Sequence, residues 1–312
     1  MKIQLKGYDI KNNIVNLPKP LSYEMHFGEF GIDIWFSFKF ATEVSNSLVK
    51  VDVIKESGKV HSCFVDSIQR RLSKKGDYFF LKVRNLLCRI WQNQVRPIEY
   101  KSYGVVAMFD KYAKPYGINK LNFNTHKVIL NDFYVELGMT AWDVVFIYCK
   151  KAFDTSPIVD ENFQLGRTYL PSKPITFGTD IKYLSLVTME DRSSVISKVF
   201  VKSNGKGVDF SEYFEDSLAK ETGIKRVRYY KAPRQWSILP NMGAEYLIYE
   251  AGKKRYRYEI TLPQYLDVYP GMIVKIKGKI PVKGTCYVSE VHFSLDEKGP
   301  LTKISLYSDC VQ

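Results

Sequence analysis

The stretch Arg255–Leu306, RYRYEITLPQYLDVYPGMIVKIKGKIPVKGTCYVSEVHFSLDEKGPLTKISL, carries the strongest fold signal in this chain of 312 residues. It contains four runs with strand-like alternation, Arg255–Leu262, Met272–Lys277, Thr285–Leu295 and Leu301–Tyr307. Between the first two runs, a Pro-Gly pair fits the restricted angles of a type II turn. Alternation with a period of two is typical of half-buried strands, so the stretch predicts a small antiparallel barrel or curved sheet.

Residues 1–98 also have the pattern of a β domain. Gly28–Ala41 alternates, with one apolar face formed by Ile32, Ile34, Phe36, Phe38 and Phe40. Further strand-like runs at Val49–Glu56, His61–Ser67 and Tyr78–Arg84 are separated by turns that contain glycine. Short strands at regular spacing favour a first antiparallel β-barrel in this segment.

The middle segment, residues 99–175, is predicted to form an inserted α/β domain. Gly104–Tyr116 has apolar residues at helical spacing and contains a proline just before its end, followed by a glycine. A second helix is predicted over Gly138–Ala152. Thr140 and Asp143 have the spacing of a capping box at its start, and the tryptophan between them is predicted to anchor the helix in the core.

Residues 176–312 return to a β pattern and are predicted to form a second β-barrel. Lys182–Ser203 predicts two strands around a polar turn, and Met242–Ala251 predicts a short helix before the final strands. Residues 204–243 form a polar insertion with little periodicity, for which the sequence predicts no regular structure.

Within this insertion, cations alternate with aromatic side chains and no acidic residue interrupts them. The residues are Lys225, Arg226, Arg228, Tyr229, Tyr230, Lys231, Arg234 and Trp236. Arg, Tyr and Trp are the commonest anchors of protein interfaces, so the stretch is predicted to dock another protein. Cations with stacking aromatic rings also suit a groove for single-stranded nucleic acid, which stays open as an alternative.

The formal net charge of +13 is concentrated in the outer segments. Residues 1–98 carry +7, residues 99–175 carry +1 and residues 176–312 carry +5. This distribution indicates an acidic partner, although solvated lysines that keep a β protein soluble explain it equally well. No stretch is long and apolar enough for a membrane helix, and the start lacks the core of a signal peptide, which predicts a cytoplasmic protein.

Motifs of the common enzyme classes are absent from the sequence. It has no nucleophile elbow, no P-loop and no H-E-x-x-H pair, and its five cysteines show no C-x-x-C spacing. We therefore expect no catalytic residue, no cofactor and no metal. The two carboxylates of a glycosidase can come from distant positions, so a cell-wall hydrolase stays open as an alternative.

Several motifs together resemble the baseplate hub proteins of contractile phage tails and tail-like particles, the late control protein D family. They are a G-x-T-x-W-D helix start (Gly138, Thr140, Trp142, Asp143), a P-G-x-x-V corner (Pro270, Gly271, Val274) and a terminal hairpin (Val291, His292, Gly299, Thr302). These motifs shape turns and strand pairs and contain no catalytic signature. The basic insertion departs from the family pattern.

The resemblance implies two tail-tube-like barrels in tandem and a homotrimeric ring that adapts a six-fold tail tube to a three-fold spike. The implied partners are further copies of this chain, the tail tube protein, the spike protein and other baseplate proteins. Nucleic acid would at most pass through the channel. The resemblance also implies synthesis in a bacterial cytoplasm and assembly into the baseplate of a virion or phage-like particle.

Overall fold

Antiparallel β-sheet dominates the fold in a computed structural model, which describes residues 2–74, 76–123, 127–167, 175–202, 210, 212–231, 240–253, 255–277, 282 and 284–309. Within these residues, one sheet of 13 strands combines strands from both ends of the chain, and three small sheets lie outside it. The expectation of a mainly β protein is therefore confirmed.

The first segment supplies a run of strands whose apolar side chains alternate into the core. They are β1 (Ile3–Tyr8), β2 (Ile14–Val15), β3 (Ser22–Phe27), β4 (Ile34–Phe40), β5 (Lys50–Lys55), β6 (Val60–Ser73) and β7 (Gly76–Asn85), followed by the short helix α1 (Arg89–Gln92). The buried face of β4 is the predicted one, with Ile34, Phe36, Phe38 and Phe40. Ile32 lies before the strand and packs in the core of the middle segment.

The middle segment has a hydrophobic core of its own, packed around two helices. Its elements are β8 (Ile98–Gly104), α2 (Val105–Tyr112), β9 (Lys120–Asn122), β10 (Ile129–Val135), α3 (Ala141–Phe153), β11 (Ile158–Val159) and β12 (Gln164–Gly166). α2 ends at Tyr112 rather than at Tyr116, because Pro115 cannot donate the N–H that a longer helix needs. The sequence pattern does not reveal the β8–β10 pair, since Asp132 adopts φ +51 and interrupts the alternation of β10.

α3 begins with the predicted capping box. The Thr140 hydroxyl oxygen accepts a hydrogen bond from the Asp143 N–H (3.2 Å), and the Asp143 carboxylate accepts one from the Thr140 N–H (2.8 Å). Such a cap satisfies N–H groups of the first turn and typically contributes about 1 kcal/mol. Trp142 is buried with its ring centroid 5.9 Å from that of Phe30, so it anchors the helix as expected.

The third segment divides its elements between the large sheet and a small one. They are β13 (Ile175–Phe177), β14 (Ser185–Glu190), β15 (Lys198–Val201), β16 (Glu212–Glu215), α4 (Ser217–Glu221), β17 (Val227–Tyr230), α5 (Pro240–Lys253), β18 (Tyr256–Leu262), β19 (Ile273–Ile276), β20 (Thr285–Asp296) and β21 (Gly299–Asp309). The two strands expected over Lys182–Ser203 exist as β14 and β15, but they belong to different sheets. The insertion contains β16, α4 and β17, which are too short for their periodicity to show in the sequence.

The large sheet joins the first and third segments edge to edge. Its strand order is β14-β18-β21-β20-β3-β4-β7-β6-β5-β1-β2, with β19 beside β20 and β13 beside β19. At the β20–β3 junction, Val291 lies opposite Phe27 and His292 lies opposite His26. The pairings of the described strands follow an open path, so the expected pair of closed barrels is not confirmed. The terminal hairpin pairs with β18 and β19 of its own segment and also, through β20, with β3 of the first segment.

A β-bulge marks the place where β20 changes its partner. The first part of β20 pairs with β19, and the part from Val291 onward pairs with β3 along the same edge. Between them the register against β21 shifts from Val288 to Glu290. A bulge bends its strand and raises the local twist, which lets one edge serve two neighbours that lie in different directions.

Candidate interaction surfaces

One open edge of the large sheet carries exposed apolar side chains. Among the described strands, β14 pairs with β18 alone. Leu184, Val187 and Met189 are 64%, 49% and 53% exposed. Asp191 donates its N–H to the Arg255 carbonyl (2.7 Å), so the alternation of an antiparallel ladder turns the backbone groups at Thr188 outward. An open strand edge with apolar side chains is a natural site for another chain.

The opposite end of the same sheet also exposes apolar residues. The two-residue strand β2 ends the strand order there and carries Ile14, and the turn before it carries Ile10. Both isoleucines are exposed. The large sheet therefore has exposed apolar side chains at both ends of its strand order.

A buried arginine holds the end of the β14 edge. The Glu190 carboxylate accepts hydrogen bonds from Arg192 Nε (2.9 Å) and from Arg255 Nη2 (2.7 Å). These hydrogen bonds, the one from Arg192 first and the one from Arg255 second, lower the pKa of Glu190 to about 2. The Arg255 side chain is 2% exposed, so loss of this carboxylate would deprive a buried cation of an anionic partner.

The second surface is the outer face of a three-stranded sheet, which we call the small basic sheet (β16, β15 and β17). Phe200 lies opposite Tyr213 on one side and opposite Tyr229 on the other, which places three aromatic rings in a row. The Phe200 and Tyr229 ring centroids are 5.3 Å apart and nearly parallel. The ammonium of Lys198 lies 3.8 Å from the centre of the Tyr213 ring.

The structure separates the predicted docking residues into different roles. Lys225 and Arg226 precede β17, Arg228, Tyr229 and Tyr230 form most of it, Lys231 follows it, and Arg234 and Trp236 lie outside the described residues. Arg226 donates to the backbone carbonyls of Val195 (2.6 Å) and Arg192 (3.3 Å), so it supports its own fold. Tyr230 packs inward against α5. Arg228 and Tyr229 are exposed at the strand edge.

The P-G-x-x-V corner lies where the third segment meets the middle one. The Tyr269 carbonyl accepts a hydrogen bond from the Met272 N–H (3.2 Å), and Gly271 adopts φ +85. This combination is typical of a type II turn. A Cβ atom at Gly271 would collide with the side chain of Ile158. Val274 then pairs with Cys286 in the sheet. The corner is therefore a packing contact.

The terminal hairpin residues are likewise structural. Gly299 has φ +103 in the turn between β20 and β21, where a side chain would be strained. The Thr302 hydroxyl donates to the Gln264 carbonyl (2.6 Å), which ties β21 to the loop after β18. The His292 ring lies 6.0 Å from the Trp35 ring at the β20–β3 junction.

A buried lysine was not foreseen from the sequence. Lys55 is 4% exposed and donates to the hydroxyls of Tyr269 (3.1 Å) and Tyr265 (3.4 Å). Burial lowers the pKa of Lys55 to about 8. The available signal was alternation, because Lys55 follows Val51 and Val53 on the buried face of β5. This cluster ties the first segment to the loop before β19.

A cleft of about 460 Å³ lies between α3, α5 and the large sheet. It contains the carboxylates of Glu29, Asp154 and Glu245, and Glu29 forms an ion pair with Lys253 at 2.9 Å. In the part of the chain that the structure describes, no three His, Cys, Asp or Glu side chains are grouped as a metal site requires. None of its described helices has the length and apolar content needed to cross a membrane.

No family model matches this sequence, and no curated protein matches it. Solved structures share its fold, among them the following three. A tail protein from Neisseria meningitidis is 15% identical over 100% of this chain and 98% of its own, with a TM-score of 0.75. The prophage MuSo2 43 kDa tail protein from Shewanella oneidensis is 13% identical over 98% of each chain, also with a TM-score of 0.75.

The third is a type VI secretion system component from E. coli, described as structurally similar to the T4 bacteriophage tail proteins gp27 and gp5. It is 7% identical over 98% of this chain and 76% of its own, with a TM-score of 0.58. These identities are low, so the comparison concerns the fold. The chain thus has the fold of phage tail proteins and of a type VI secretion component.

Proposed function

We propose that this chain is a structural tail protein, the baseplate hub of a contractile phage tail or tail-like particle, and that it forms a trimeric ring. The observation that carries the proposal is the large sheet with two open, apolar edges, β14 at one end and β2 at the other. Different edges on one chain suit a head-to-tail contact, which closes into a ring when the rotation between copies is regular. The fold shared with tail proteins supports the same assignment.

The division of the large sheet supports an adaptor role. The first segment gives seven of its strands and the third segment gives six, so each chain has two β-rich halves of similar size. Three chains would present six such halves, which matches a six-fold tail tube on one side while the ring keeps three-fold symmetry for a spike. We propose these two proteins and other baseplate proteins as partners. The chain would be made in a bacterial cytoplasm and assembled into the tail baseplate of a virion or phage-like particle.

Sizing of the purified chain tests the ring. We expect a particle of three times the 36.2 kDa of one chain, or a monomer that trimerises only when tube and spike proteins are added. A chain that stays monomeric with those partners would contradict the ring.

A zymogram on peptidoglycan tests the hydrolase alternative separately, and clearing by the purified chain would overturn a purely structural role.

A further inference from the structure

The outer edge of β17 is open and its backbone groups point away from the sheet. Lys202 donates its N–H to the Tyr230 carbonyl (2.9 Å), and Ser197 donates to the Arg226 carbonyl (2.9 Å). In a parallel ladder alternate residues face the neighbouring strand, so Val227 and Tyr229 direct their N–H groups outward. Among the described strands, β17 pairs only with β15.

Cations lie on both faces of this edge. Alternation puts Arg228 on the same face as Tyr230, and Lys231 on the same face as Tyr229. The Arg228 guanidinium donates to the Val227 carbonyl (3.2 Å), which places it along the open edge. Within the described ranges neither cation has a carboxylate within ion-pair distance. An added strand carries side chains on both faces, so acidic residues on it would meet a cation on either side.

The aromatic row is less suited to stacking on nucleic acid bases. Base stacking needs ring faces that are free. The Phe200 ring is stacked against Tyr229, and Phe210 contacts the Tyr229 ring edge-on with centroids 5.2 Å apart. Lys198 covers one face of Tyr213. The rings therefore form an apolar ridge beside an open strand edge. The edge can pair with a peptide backbone, and the ridge can contact the side chains of that peptide.

We propose that the β17 edge of the small basic sheet binds an extended acidic segment of another protein as an added fourth strand. The outward N–H groups of Val227 and Tyr229 would pair with its backbone, and Arg228 and Lys231 would pair with its carboxylates. The aromatic row would contact its apolar side chains. This inference concerns the small basic sheet alone and does not depend on the trimeric ring.

The test uses the full chain and a fluorescein-labelled peptide, Thr-Glu-Glu-Val-Thr-Glu-Glu-Val, whose glutamates fall on both faces of a strand. Fluorescence anisotropy should show saturable binding. Val227→Pro removes an outward N–H and leaves the β15 pairing intact, so binding should weaken at least ten-fold. The double variant Arg228→Glu, Lys231→Glu should weaken it by at least as much. Circular dichroism melting checks that each variant is folded.

Controls separate edge pairing from simple charge attraction. Lys11→Glu, Lys74→Glu changes the net charge equally at distant exposed positions and should leave the affinity within two-fold. A peptide with N-methyl groups on alternate residues cannot pair as a strand and should not bind. Lack of binding by the unmodified peptide, or binding that both variants leave intact, would overturn the proposal. Tight binding of a dT20 oligonucleotide that Arg228→Glu, Lys231→Glu abolishes, without peptide binding, would overturn it in favour of nucleic acid.

Discussion

The two open strand edges of this molecule, β14 of the large sheet and β17 of the small basic sheet, differ in what surrounds them. The β14 edge offers Val187 and Met189, continues a sheet of 13 strands and is held at its end by a buried arginine. The β17 edge offers Arg228 and Tyr229 and belongs to a sheet of three short strands. An open strand edge therefore presents an apolar surface at β14 and a basic surface at β17.

This difference indicates two kinds of contact. Burial of apolar side chains is insensitive to salt and favours a lasting contact between copies, whereas exposed charges attract a partner that salt can release. We therefore expect the two edges to respond differently to the same change.

The largest effect is expected from charges on the apolar edge. Val187→Glu, Met189→Glu should weaken ring assembly at least roughly a hundred-fold, because burying each side chain contributes about 1.5–3 kcal/mol and a buried carboxylate costs more. Sedimentation velocity with the partners required for assembly measures it. The matched change Val227→Glu, Tyr229→Glu on the other edge should leave the ring intact, and equal loss in both variants would remove the distinction.

A smaller effect is expected from the ion pairs that support the edges. Glu190→Gln should lower the free energy of unfolding by roughly 1–2 kcal/mol at neutral pH, since it leaves buried Arg255 without this carboxylate and Glu190 is partly exposed. Glu215→Gln breaks the more exposed ion pair with Lys198, so it should lower the free energy of unfolding by less than Glu190→Gln does. Urea denaturation measures both, and the reverse order would contradict the assigned roles.

The ion pairs of Glu190 also predict that the free energy of unfolding depends on pH. The pKa of Glu190 is lowered from 4.5 to about 2, so the folded state binds fewer protons there than the unfolded state between these values. Its contribution is fully present above pH 4.5 and is lost as the pH falls through 2. The difference between the wild type and Glu190→Gln should therefore shrink with acidification, and a difference that stays constant down to pH 2 would rule out the charge as its cause.

Salt should distinguish the edges with a moderate effect. Raising ionic strength from about 0.05 to 0.5 M shortens the screening length from roughly 14 to 4 Å. Binding of the acidic peptide at β17 should weaken roughly ten-fold, while ring assembly at β14 should persist. Fluorescence anisotropy measures peptide binding and sedimentation velocity measures ring assembly, each at the same two salt concentrations. A ring that dissociates along with the peptide would show that charges hold both contacts.

The smallest effect is expected from the aromatic row. Tyr229→Ala should lower the free energy of unfolding by about 1 kcal/mol, because Tyr229 is 68% exposed and contributes mainly its ring contacts with Phe200 and Phe210. Trp142→Ala, in the buried core of the middle segment, should cost about 3–5 kcal/mol. Denaturation curves of the two variants give the comparison, and similar losses would mean that the aromatic row is more tightly packed than its exposure indicates.

The sequence predicts the structure correctly where a feature depends only on residues that are close together in the chain. The alternation in β4, the capping box of α3 and the turn at Gly271 depend on neighbours within a few residues, and all three are present as expected. The docking residues were less predictable. Arg226 and Tyr230 have the composition of an interface, yet one supports backbone carbonyls and the other packs on α5.

By itself the sequence determined a mainly β chain with a partly helical middle segment, because the periodicity of apolar residues is set within each element. Only the tertiary structure decided which strands are neighbours. The pairing of β20 with β3, the joining of both end segments in one large sheet and the different partners of β14 and β15 all depend on residues far apart in the chain. The physical reason is that a strand edge carries the same N–H and C=O groups whatever its sequence, so its partner is chosen by the packing of the whole chain.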